Sequence, residues 1–181
     1  ELVDPKNDIH TANALTIFGA VDYYKRRFAK VFAHGSNYGS KPPKLASELN
    51  ISRQAAGVAQ SKWFGTHIGI KSWHERTAYN IAKHRYVANQ FGYRRLFFDR
   101  PDNCFTDALA WVPASTVALI INHALLQINR ALPWVQILLQ THDSLTFQLP
   151  IPRLHEAIPL LRKHAVVVVP YPEPLTIPVT F

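Results

Sequence analysis

Through the first ninety residues, apolar positions recur at spacings of three and four, the period of a helix packed along one face. Capping and breaking residues cut these runs into elements. Residues 8–18, DIHTANALTIF, predict a helix with Asp8 as N-cap and Gly19 as its stop. Residues 22–37 predict a second, with Phe28, Val31 and Phe32 as its buried face. Pro42-Pro43 opens a short third helix ending near Asn50, and Ser52 caps a fourth over 53–64. Gly65 and Gly69 interrupt the pattern before a long helix over 70–88.

The period then changes. QFGYRRLFF, residues 90–98, predicts two short strands around Gly92, and 99–106 a loop. Residues 107–131 are apolar and helical until Pro133, with Asn122 and His123 as polar exceptions. WVQILLQ and SLTFQL predict a hairpin over 134–149 with Thr141-His142-Asp143 at its tip. A helix over 153–164, an apolar VVVV strand and a closing edge strand, LTIPVTF, complete the chain; Pro178 would not be tolerated in a central strand. Helices first, then hairpin, helix and strand, make the expected fold class α+β. The expected division is a mainly helical region, 1–90, and a second region, 91–181.

Composition narrows the function classes. With 181 residues, 48% of them hydrophobic, the chain can bury a core. No apolar run is judged long enough for a membrane span, so no membrane partner is expected. The opening ELVDPKNDIH is polar and lacks signal-peptide character. The lone Cys104 forms no internal disulfide and no Cys cluster suggests zinc, which fits a reducing compartment, the cytoplasm. A formal charge of +8 favours a polyanionic partner, nucleic acid ahead of membrane.

Two stretches carry chemistry. In KRRFAKVFAHGSNYG, Arg26, Lys30, His34 and Tyr38 follow one another at four-residue steps before Gly39. Each step drifts only about 40° around a helix, so the four side chains form one stripe roughly 18 Å long. It grades from two fixed cations through an imidazole to a phenol, and cations aimed at developing charge are what phosphoryl transfer needs from a protein. The second stretch is the hairpin tip. An Asp there is ordinarily a turn residue, but long apolar flanks make a rigid support, which suits a carboxylate that binds magnesium. One carboxylate does not make a two-metal site.

The order of these pieces resembles the family A DNA polymerases, the bacterial DNA polymerase I and bacteriophage group, over roughly residues 7–181. RRFAKVFAHGSNYG resembles that family's fingers-helix motif and QTHDSL its second catalytic palm motif. The resemblance implies that Arg26 and Lys30 hold a deoxynucleoside triphosphate and that Lys30 protonates the leaving pyrophosphate. It sets His34 against sugar and base and Tyr38 near the templating position, with Gly39 turning the backbone away. His10 is implied near the phosphates, Arg94 and Arg95 near duplex DNA, Ser115 and Thr116 beside the minor groove, and His142 at the primer terminus. Asp143 is implied as a magnesium ligand and catalytic residue. For His10, Arg94, Arg95, Ser115 and Thr116 an ordinary helix-cap or surface role explains the residues as well.

The chain departs from the family pattern at His34, usually Phe or Tyr, at Ala114, commonly Gln, at Leu119, a common acid, and at Ser144, frequently Glu. The first catalytic Asp of the family lies in a palm strand upstream of DIHTA; Asp4 and Asp8 do not sit in such a strand. The expectation is therefore a fragment, fingers plus the C-terminal palm, inactive alone. It needs an upstream palm and thumb segment from the same or a companion chain, primer–template DNA, a nucleotide and two magnesium ions. A non-catalytic nucleic-acid-binding remnant, or one piece of a split polymerase, is the alternative. A metal phosphohydrolase of the His-Asp type is disfavoured, because the nine His are scattered and only His142 adjoins an Asp.

Overall fold

The computed structural model describes residues 8–177, 179 and 180. Among the described residues, seven α-helices and six short strands follow one another: α1 Ile9–Phe18, α2 Tyr23–Asn37, α3 Pro42–Leu49, α4 Arg53–Thr66, α5 Ile68–His84, β1 Tyr86–Ala88, β2 Arg94–Leu96, α6 Pro101–Ala131, β3 Gln136–Thr141, β4 Ser144–Gln148, α7 Leu154–Ala165, β5 Val168–Val169 and β6 Leu175–Thr176. The strands form three two-stranded sheets, β1 with β2, β3 with β4 and β5 with β6. The α+β class holds.

The chain divides into two compact units. One is the described part of Glu1–Val87 with Arg95–Ala110; the other is Ala88–Arg94 with Trp111–Phe181. In the first, the predicted caps are in place. Asp8 accepts from the His10 backbone amide at 3.1 Å, Asp22 from Lys25 at 2.8 Å and Ser52 from Ala55 at 3.1 Å. Gly19 ends α1 at φ 68° and Asn50 ends α3 at φ 51°. The core gathers Phe32, Ala33, Leu45, Ala46, Ala56 and Trp63 from α2, α3 and α4. The Phe32 and Trp63 rings meet edge to face at 6.3 Å.

The buried face of α2 is rotated from the expected one. Ala29, Phe32, Ala33 and Ser36 are buried, Phe28 is half-buried and Val31 is exposed. Small residues set this face: Gly35 lies so close to Leu45 that an added Cβ would come within 2.5 Å of it. Selecting the largest side chains missed a contact that depends on small ones.

Two further boundaries differ from the sequence pattern. α5 ends at His84 rather than 88, capped by Arg85 at positive φ, and β1 follows at Tyr86–Ala88. Residues 101–106 are the first turns of α6, not a loop. Pro101 stands at the helix start, where its missing N–H costs nothing. Cys104, pointing inward from these turns, is buried. Starting there, α6 reaches 31 residues, and its most apolar 18-residue window has mean hydropathy 1.6. It is thus long and apolar enough to cross a membrane, contrary to the expectation that no run is. Its length has protein neighbours, however: Cys104, Ala108, Leu109, Thr116, Ile120, Ala124 and Ile128 are all buried.

In the second unit, β3 and β4 pair antiparallel from Gln136↔Gln148 to Thr141↔Ser144, with an irregularity between Ile137 and Leu139. Ile128, Leu132, Val135, Ala157 and Leu161 pack beneath this hairpin. β5 pairs antiparallel with β6, Val168↔Thr176 and Val169↔Leu175. Pro178, the reason for expecting an edge strand there, lies outside the described residues, as does Asp4.

Candidate active site and nucleic-acid interface

The first unit brings five of the sequence-derived site residues together. Arg26, Lys30 and His34 stand exposed along α2, and Tyr38, half-buried, caps its end. α1 packs beside them and contributes His10. The His10 and His34 ring centroids are 5.8 Å apart, and those of His34 and Tyr38 are 6.3 Å apart and stacked at 27°. Enclosure first, and the positive charge of Lys30, His34 and Arg26 after it, hold His10 below its ordinary pKa of 6.5; Asp8 opposes them. His10 Nδ1 is enclosed and, among the described residues, has no hydrogen-bond partner.

Asp8 belongs to this group although the sequence marked it only as a cap. Its Oδ2 accepts from Arg26 Nε at 2.5 Å and from the Thr11 hydroxyl at 2.6 Å. The Arg26 bond first, then Thr11, holds the Asp8 carboxyl far below the usual carboxylate range, and Asp8 raises Arg26 in return. Both side chains are well over a third solvent-accessible, 45% for Arg26 and 39% for Asp8, so the pair adds little to stability. Its effect is on where the guanidinium points.

The end of α2 is held from three sides. Asn37 accepts at Oδ1 from Trp63 Nε1 at 3.1 Å, and its backbone carbonyl lies 2.7 Å from His74 Nε2. Gln60 Nε2 donates to the Ser40 carbonyl at 2.8 Å. Between them Gly39 turns at φ 78°, and an added Cβ would lie 3.1 Å from Leu109 and 3.2 Å from Phe105. Gln60, Trp63 and His74 escaped the sequence reading as positioning residues. Gln60 and Trp63, polar-tipped side chains on the inner face of α4, were the available signal.

The remaining candidates are distributed as follows. Arg95, in the first unit, lies over the Phe97 ring at 4.9 Å and 3.7 Å from Asp107. Arg94, in the second, follows the turn Asn89–Tyr93. Asn89 is buried and organises that turn: its Oδ1 accepts from Phe91 and Tyr93 amides at 3.1 Å each, and its Nδ2 donates to Ser115 Oγ at 3.0 Å. An Asn three residues before Gly92 is an Asx-turn signal that sequence reading passed over. Ser115 and Thr116 are not at a helix start. They lie in mid-α6, just after Pro113, and their hydroxyls donate to the Val112 carbonyl at 3.2 and 2.7 Å. Thr116 is buried and Ala114 exposed.

His142 and Asp143 form the two-residue tip of the β3–β4 hairpin, both exposed. His142 adopts φ 51°, a left-handed conformation uncommon outside Gly. The Ser144 hydroxyl turns inward to the Thr141 carbonyl at 2.9 Å. Among the described residues no three His, Cys, Asp or Glu side chains converge as a metal site. Asp143 therefore fits one oxygen ligand of a magnesium ion and not a whole ligand set.

Comparison with known proteins gives the family. The model of DNA polymerase family A matches residues 1–180. The chain is 32% identical to DNA polymerase I of Chloroflexus aurantiacus over 169 residues, 86% of this chain and 18% of that protein. It is 30% identical to the thermostable DNA polymerase I of Thermus aquaticus, over 86% of this chain and 20% of that protein. Among solved structures, it is similar to the POL domain of Pol1 from M. smegmatis in complex with DNA primer-template and dNTP. The TM-score is 0.80, at 26% identity, over 88% of this chain and 31% of that one. The chain belongs to DNA polymerase family A. It spans about a fifth of the length of the curated relatives it matches.

Proposed function

We propose that these residues are the fingers and the C-terminal part of the palm of a template-directed DNA polymerase. The observation that carries the reading is the exposed α2 stripe with His10 beside it, in a chain similar across 88% of its length to a polymerase domain solved with primer-template and dNTP. In this reading the primer 3′-oxygen attacks the α-phosphorus, one P–O bond forms and the bond to pyrophosphate breaks. Arg26, Lys30 and His10 bind the triphosphate, and Lys30 gives a proton to the leaving pyrophosphate. His34 and Tyr38 meet sugar and base. Arg94, Arg95, Ser115 and His142 approach the primer–template, with Thr116 holding the helix turn beneath.

Magnesium, when bound, stabilises charge on the phosphoryl oxygens, and Asp143 offers it one ligand. The other carboxylate and the thumb come from a further segment of the protein or a companion chain. The hairpin supports that need. A two-stranded sheet is marginal alone, Leu138 and Leu139 are each 57% exposed, and an apolar groove of about 570 Å³ lined by Ile120, Ala124, Leu145 and Phe147 opens beside Asp143. The cytoplasm is the compartment this activity implies.

Primer extension by the whole gene product tests the reading, wild type against Asp143→Ala, with and without magnesium. Extension lost in the variant, while primer–template binding is kept, supports it. Extension unchanged in the variant removes the central assignment. DNA binding with no extension by the wild type establishes the alternative, a non-catalytic remnant.

A further inference from the structure

The Asp8 carboxylate makes three bonds, and they join two functions. The His10 amide and the Thr11 hydroxyl fix it to the first turn of α1, and Arg26 Nε on α2 completes the set at 2.5 Å. An anchor held this firmly leaves a long guanidinium side chain little freedom at its Nε edge. Among the described residues, neither terminal amino group of Arg26 has a partner. The fork is thus gripped from behind and open in front, on the exposed side of α2 where Lys30 and His34 also stand.

We propose that Asp8 is a positioning residue for the nucleotide: through Nε it orients Arg26 so that the two free amino groups face the polyphosphate. This rests on the polymerase reading of the α2 stripe. The same contact ties α1 to α2, so it also fixes His10 relative to Lys30. An Asp beside a polyanion site would by charge alone weaken binding. Here its charge is largely spent on Arg26, and orientation outweighs the repulsion, because a misplaced binding group can lose up to about a hundredfold.

The test uses the whole polymerase polypeptide and measures nucleotide Kd with a fluorescent dNTP, alongside KM and kcat in primer extension. Asn is as good an N-cap as Asp, so Asp8→Asn keeps the start of α1 and removes the charged grip on Arg26. The expected result is a weakening of Kd and a rise in KM of about five- to tenfold, with a smaller change in kcat. Asp8→Ala should do the same or more. In an Arg26→Ala background, Asp8→Asn should change Kd by less than about twofold, since the residue acts through Arg26. Wild-type Kd in Asp8→Asn, or an undiminished effect when Arg26 is already Ala, overturns the proposal. Wild-type Kd in Arg26→Ala alone instead overturns the functional reading beneath it, so the two failures are distinct.

Discussion

The His10 and His34 rings meet at 5.8 Å, tilted by 48°, and His10 Nδ1 is enclosed with no partner among the described residues. Enclosure first, with Lys30, His34 and Arg26 close by, keeps His10 below its ordinary pKa of 6.5, and Asp8 pulls the other way. A polyphosphate against Arg26 and Lys30 would reverse that field and raise the bound-state value. Binding then takes up a proton, and affinity rises as pH falls from the bound-state pKa toward the lower free-state one. Calorimetry of dNTP binding near pH 6.5, in two buffers of different ionisation heat, should register more proton uptake in the wild type than in His10→Gln. Equal uptake in both proteins would assign the proton elsewhere.

Two glycines within helices should respond in opposite directions to Ala. Removing Gly from a helix interior ordinarily stabilises by about 0.5–1 kcal/mol. Gly57 in α4 has nothing within 4 Å of an added Cβ, so Gly57→Ala should gain that amount. At Gly35 the new Cβ would come within 2.5 Å of Leu45, itself fully buried. Overpacking of this kind costs about 1–3 kcal/mol and exceeds the helix gain. Urea titrations of the two variants should move the midpoint up for the first and down for the second.

Asn89 is the hinge of the turn that carries Arg94. Asn89→Ala strips the acceptor from the Phe91 and Tyr93 amides and the donor from Ser115, while Asn89→Asp keeps the acceptor and loses the donor. Unsatisfied buried groups cost about 1–3 kcal/mol each. The Ala variant should therefore lose about 2 kcal/mol or more and show faster amide exchange across Asn89–Tyr93. Asp should protect those two amides even if the Ser115 bond is lost. Equal exchange in the two variants would mean the side chain does not organise the turn.

Much of this architecture was legible from local chemistry. Asp8, Asp22 and Ser52 start helices because each can accept from an amide two or three residues on, and Gly19 and Asn50 stop them because they tolerate positive φ. The four-residue spacing put Arg26, Lys30, His34 and Tyr38 on one side of α2 without any tertiary information. What escaped was non-local. The true inner face of α2 depends on how closely α3 approaches Gly35. The roles of Gln60, Trp63 and His74 depend on which carbonyls α4 and α5 happen to meet. Asp8 was visible as a cap, but the bond to Arg26 spans eighteen residues and no local pattern encodes it. The start of α6 was lost for a different reason: Asp, Arg, Pro and Asn over 99–103 carry loop propensity, and only the N1 preference of Pro101 argued against it.

The buried hydroxyl of Thr116 separates a structural from a DNA-contacting role at the middle of α6. Pro113 has no amide to offer the helix, and three residues on the Thr116 hydroxyl donates at 2.7 Å to the Val112 carbonyl one turn back. Only 6% of Thr116 is exposed, which leaves little surface for a base edge. Thr116→Val keeps the shape and removes the bond, so it should cost about 1 kcal/mol of stability. Primer–template affinity should stay within about twofold of wild type. Ser115→Ala differs, because Ser115 is half-buried and its hydroxyl also receives the Asn89 amide. Unfolding and DNA-binding titrations on both variants decide the matter: a stable Thr116→Val protein that binds DNA about tenfold more weakly would return Thr116 to the minor groove.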